Sequence, residues 1–111
     1  MATGLLGQAA ITTVSQYTQV YAVPVGYFTA LSISVLNRAA TQASIRIALT
    51  GNVAPATPPS NAEFIEYDTI LGGNGVLERT GIMLNASKYV VVYSTTANIS
   101  VSVFGIETST T

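Results

Sequence analysis

Apolar and polar residues alternate with a period of two along most of this chain, and helical spacing is hard to find in it. Between Tyr27 and Asn37, Leu31, Ile33 and Val35 share one side while Ser32 and Ser34 take the other, the pattern of a strand with one face buried. Ala43 to Leu49 repeats it with Ile45, Ile47 and Leu49 against Ser44 and Arg46, and Ile99, Val101 and Val103 repeat it against Ser100 and Ser102. Four further segments, Tyr17 to Val23, Glu63 to Thr69, Val76 to Leu84 and Tyr89 to Ser94, are rich in the β-branched and aromatic residues that favour strands.

Turn-forming residues separate these segments: Pro24-Val25-Gly26, Asn37 to Gln42, Gly72-Gly73-Asn74-Gly75, Asn85-Ala86-Ser87 and Thr95 to Asn98. The glycine-rich run reads as a hairpin turn. It lacks the Lys and the following helix of a phosphate-binding loop. About seven to eight short strands in 111 residues predict an all-β antiparallel sandwich, immunoglobulin-like or jelly-roll, because a single open sheet would leave one apolar face uncovered.

The sandwich is expected over residues 17–107, with a polar, frayed tail at 108–111. Two segments depart from strand patterning. Residues 1–16 carry Leu5, Leu6, Ile11 and Val14 among small polar residues, and read either as an arm that adds a strand to a neighbouring copy or as an edge strand of the chain's own sandwich. Gly51 to Asn61 holds Pro55, Pro58 and Pro59, which cannot donate to a sheet ladder, and is expected to be a long exposed contact loop.

Charge changes the picture. Only 8% of residues are charged, four basic and five acidic, while 49% are hydrophobic; soluble domains typically carry about 25% charge. A surface this poor in charge suits a protein whose faces are covered in an assembly. With a net charge of −1 and no clustered Lys or Arg, nucleic acid is not an expected partner. The first residues contain no basic segment followed by an apolar run, so synthesis in the cytoplasm and use without export by that route are expected. No apolar stretch approaches the roughly 20 residues of a membrane-spanning helix, and no membrane partner is expected.

The chain has neither Cys nor His, which removes thiolate and imidazole chemistry and the commonest metal ligands. No enzyme activity, cofactor or metal is therefore expected. Glu66 and Asp68 would share a strand face about 6.5 Å apart, a spacing open to glycosidase chemistry or a hard cation. The simpler reading is a polar face paired with a cross-strand cation such as Arg79, which would fix a strand register or a subunit contact. The two Asn-x-Ser triplets, at Asn85 and Asn98, carry no weight without export.

Several segments taken together look familiar: Tyr21-x-Val23-Pro24-x-Gly26, Ser32 to Arg38, Ile45 to Leu49, Phe64 to Asp68, Gly75 to Gly81, Tyr89 to Tyr93 and Val101 to Glu107. Over about residues 17 to 107 the series resembles small virion structural proteins of tailed bacteriophages, particularly cyanobacterial and other aquatic phages. The resemblance implies a β-sandwich present in many copies on the virion, made in the host cytoplasm. Its expected partners are itself, as a homotrimer, and the major capsid protein or other virion proteins. The leading expectation is a capsid decoration or cement protein binding over capsomer junctions, with interface residues Leu5, Leu6, Ile11, Val14, Pro55, Pro58, Pro59 and Arg79. A tail or tail-fibre component is the alternative. A carbohydrate-binding module is the second alternative, for which Tyr17, Tyr21 and Tyr27 would have to form an aromatic platform.

Overall fold

The computed structural model describes residues 3–51 and 58–110. It contains eight strands: β1 (Thr3–Ile11), β2 (Thr18–Ala22), β3 (Tyr27–Asn37), β4 (Ala43–Thr50), β5 (Phe64–Leu71), β6 (Val76–Leu84), β7 (Tyr89–Ser94) and β8 (Ile99–Ser109), with one 3-10 turn at Asn61–Glu63. They form two four-stranded antiparallel sheets, ordered β1-β8-β3-β6 and β2-β7-β4-β5.

The expected sandwich is thus present, and the pairing identifies its type. β1 pairs with β8, β2 with β7, β3 with β6 and β4 with β5, so the chain is one long hairpin rolled up until strands of successive rungs fall in opposite sheets. That is a jelly roll, and the immunoglobulin alternative is set aside. The glycine-rich turn is tight, with Gly75 N–H bonded to Gly72 O at 3.0 Å. It does not close a hairpin, however, because β5 and β6 lie in different sheets. A side chain at Gly73 would collide with the Ala40 carbonyl, so the crossing requires glycine there.

Alternation places Ile33 and Val35, Ile45 and Ile47, Val90 and Val92, and Ile99, Val101 and Val103 between the sheets, all essentially inaccessible. Burying each such side chain stabilises the fold by about 1.5–3 kcal/mol. Two polar latches close the ends of this core. Asn37, fully buried, donates to Thr41 O at 2.8 Å and Leu71 O at 3.2 Å and accepts from Ala39 N–H at 3.0 Å. Tyr21 donates to Glu107 at 2.6 Å, and its hydroxyl lies 2.9 Å from that of Thr29.

Both ends of the chain belong to the sandwich. β1 pairs with β8 from Thr3 to Ile11 and is an edge strand of its own sheet, not an arm reaching a neighbour. Likewise β8 runs on to Ser109, and Thr110 bonds Gly26 O through its N–H (2.9 Å) and hydroxyl (3.0 Å), so the expected fraying from 108 does not occur over residues 108–110.

Candidate functional site

The two sheets share one core, and their outer faces differ. On β1-β8-β3-β6, alternation turns Leu5, Phe104, Ile106, Ala30 and Met83 outward at one end, with Phe104 opposite Leu5 on β1 and Ser32 on β3. Leu5, Phe104, Ile106 and Met83 are 40–61% exposed. Toward the other end the face is small and polar, with Gln8, Ala10, Ser34, Ser100 and Ser102, and it finishes on exposed Leu36 and Val76. Among the described residues of this face, Glu78 is the only one that carries a charge. Two shallow depressions mark it, one beside Gln8 and Ser102 and one where Gly81 and Gly105 lie next to Phe104.

The outer face of β2-β7-β4-β5 is built around Arg46. Its guanidinium lies between two rings, 4.2 Å from the centre of Tyr67 and 4.5 Å from that of Tyr93. It donates from Nε (2.6 Å) and Nη2 (3.3 Å) to the two oxygens of Asp68, and from Nη1 to the Tyr17 hydroxyl at 3.1 Å. These bonds, that to Asp68 foremost, raise the already high pKa of Arg46 further. Tyr17 in turn packs against Tyr93 (5.0 Å between centres) and Phe64 (6.1 Å), and Phe64 meets Tyr67 edge to face at 4.9 Å. Ala48 and Val91 face each other across β4 and β7 on this outer side, apart from the central core, yet each is only 1% exposed. The layer of rings and guanidinium around them is a second, smaller core.

A bulge makes this arrangement possible. Between Ile45 and Ile47 of β4, β5 carries an extra residue, and Asp68 takes a φ of +53°. Glu66 and Asp68 therefore do not share a face as unbroken alternation predicts. Asp68 turns outward to Arg46, while Glu66 is buried at the sandwich edge, where it forms an ion pair with Arg79 of β6 and accepts from the Thr69 hydroxyl at 2.5 Å. Arg79 thus ties the edges of the two sheets together, with no second carboxylate beside Glu66 from the expected pair.

The other register shifts follow the same rule. The extra residue falls on β1 near Leu6, on β2 near Val20, on β5, and on β6 near Gly81, in every case an edge strand. Edge bulges of this kind obstruct strand addition by another chain.

The expected interface residues are therefore scattered. Leu5 lies on the exposed outer face, but Leu6 is half-buried against the core and Ile11 is wholly inside it. Val14 is exposed in the β1–β2 loop. Pro58 is exposed and Pro59 half-buried ahead of β5, and Pro55 lies outside the described residues. Arg79 serves the internal ion pair. Tyr17, Tyr21 and Tyr27 form no platform, since Tyr21 is buried with its hydroxyl on Glu107 and Tyr27 packs against the core. Reading the sequence missed Phe104, Ile106 and Met83, and it missed the grouping of Arg46 with Tyr67 and Tyr93. The signal for that group is partial: the alternation turns Arg46 outward, but its meeting with Tyr67 and Tyr93 depends on which strands pair.

Fold and faces together define an eight-stranded jelly-roll domain with one outer face largely covered by its own side chains, Ile70 and Tyr67 excepted, and one uncovered. No protein-family model, no curated protein and no solved structure matches this chain.

Proposed function

We propose that this protein is a structural subunit of a virus particle, a decoration or cement protein that lays the outer face of its β1-β8-β3-β6 sheet on the shell. The observation that carries this reading is that face itself, bearing exposed Leu5, Phe104, Ile106 and Met83 and a single charge among its described residues. Contiguous apolar surface of this kind suits a covered interface. Jelly rolls host viral capsid and lectin domains, among other roles, which is compatible with the reading without singling it out.

Size favours a subunit that works in many copies. Four strands about 4.8 Å apart and about ten residues long present on the order of 600 Å², somewhat below the roughly 800 Å² per partner of a standard stable interface. One such contact is weak, and a symmetric array multiplies it. The bulged edges favour contacts through faces over added strands.

The test is cryo-electron microscopy of particles assembled with the wild-type chain or with F104K/I106K. Wild type is expected to give density over capsomer junctions with its β1-β8-β3-β6 sheet toward the shell, and the double variant, still folded, to leave those positions empty. Density confined to a tail would replace the cement role by the tail one. Full occupancy by the variant would overturn the assignment of the face.

A further inference from the structure

The opposite side of the molecule carries a feature that shell binding does not use. Tyr67 is 57% exposed, whereas Tyr17 and Tyr93 beside it are half-buried. Tyr67, Phe64 and Asn61 line an open depression of about 440 Å³, within the roughly 300–1,000 Å³ of small-ligand sites. From this we infer that the Asn61–Phe64–Tyr67 depression binds a neutral pyranose unit of a glycan, stacked on the Tyr67 ring.

The ring is held before any ligand arrives. Arg46 covers one face of it at 4.2 Å, and Phe64 stands nearly perpendicular to it with 4.9 Å between ring centres. Arg46 is itself fixed by two bonds to Asp68 and one to Tyr17. A pre-positioned ring loses little conformational freedom on binding, which removes one of the main costs of a weak contact.

The chemistry of the surroundings selects the ligand class. An aromatic face carries the negative part of the ring quadrupole, and the C–H bonds on one side of a pyranose present the complementary positive hydrogens. The Asn61 amide supplies a donor and an acceptor, which fits a pair of sugar hydroxyls. A phosphate or sulfate group would want a cation, and the nearest guanidinium is already engaged by Asp68. The depression is open at the surface, as suits one unit of a longer chain. The site stands independently of the shell-binding face, since the two lie on opposite sides of the sandwich.

The test is a titration of the full chain, followed by amide and side-chain NMR shifts, with cellotetraose, xylotetraose and mannotetraose, and separately with AMP and a proline-rich peptide, each to about 10 mM. At least one tetrasaccharide is expected to shift Asn61, Phe64 and Tyr67 with a dissociation constant of about 0.1–3 mM. Tyr67→Ala should weaken it about tenfold and Tyr67→Phe by less than about twofold, because stacking needs the ring and not the hydroxyl. Both variants should keep a dispersed spectrum, as Tyr67 lies outside the central core. No shifts with any saccharide, shifts indifferent to Tyr67→Ala, or tighter binding of AMP or the peptide would each overturn the inference.

Discussion

The same alternation of apolar and polar residues runs through both sheets, and it leaves two outer faces of opposite character. On β2-β7-β4-β5, Tyr17, Phe64, Tyr67, Tyr93 and Arg46 close over Ala48 and Val91, so the chain covers most of its own outer apolar groups there and leaves Ile70 and the Tyr67 ring more than half exposed. On β1-β8-β3-β6, Leu5, Phe104, Ile106 and Met83 stand exposed among serines and alanines. A fold can hence be finished internally on one side while the other keeps apolar area whose burial, at about 25 cal/mol per Å², becomes available only on contact with another surface.

The strongest way to break this comparison is to remove β1. If β1 belongs to the sandwich, deleting residues 1 to 11 strips the core of Ile11 and Leu6 and exposes the edge of β8. The loss should exceed about 4 kcal/mol, since burial of Ile11 alone is worth about 2–5 kcal/mol. A chain without a cooperative melting transition is expected. A truncated chain that melts like wild type and merely loses its partner would return β1 to the role of an arm.

A smaller effect separates the two faces directly. Arg46→Ala removes two ring contacts, the paired bonds to Asp68 and the cover over Ala48 and Val91, and should cost the isolated protein about 2 kcal/mol in urea denaturation. Arg46→Lys should restore less than half of that, because an ammonium cannot span both rings and both carboxylate oxygens. Phe104→Ala, on the uncovered face, should change the stability of the isolated chain by less than about 0.5 kcal/mol. Equal losses at Arg46 and Phe104 would mean that the faces do not differ in the way described.

How much of this was legible in the sequence depends on the range of the interactions involved. Strands β3, β4 and β8 follow from local alternation and β6 and β7 from their β-branched and aromatic residues, and Tyr27–Asn37, Val76–Leu84 and Tyr89–Ser94 match their expected limits. Period two tells inside from outside but not which sheet a strand joins, so the turn at Gly72–Gly75 reads locally as a hairpin although it crosses between sheets. The bulge before Asp68 has no local signature, and that one extra residue is what separates Asp68 from Glu66 and brings it to Arg46. The ring cluster is still less visible, since Tyr17, Arg46, Tyr67 and Tyr93 meet only through pairing of distant strands. Ile11, an expected interface residue of a segment readable as arm or edge strand, closes β1 opposite Ile99 and lies inside the core, because local pattern does not show which strand β1 pairs with.

The finest distinction concerns how β5 is led into the covered face. Glu63, just before Phe64, accepts from Ser60 N–H at 2.8 Å, from the Thr50 hydroxyl at 2.9 Å and from Gly51 N–H at 3.4 Å. The Ser60 bond is the chief reason its pKa lies below the ordinary glutamate value, with burial, the next largest influence, acting in the opposite sense. A carboxylate whose pKa is lower folded than unfolded stabilises the fold above the unfolded value of about 4.3, and the contribution is lost as pH falls through the folded value. Glu63→Gln should therefore cost up to about 1 kcal/mol at pH 7. That deficit should shrink toward zero as pH falls below the unfolded value and through the folded one, where the wild-type side chain becomes a neutral carboxylic acid of the same shape. Urea melts of both chains across this range isolate Glu63 from the other carboxylates, which titrate alike in the two. A deficit that stays constant with pH would show that these three bonds do not depend on the charge, and that the entry to β5 is held by packing of Phe64 alone.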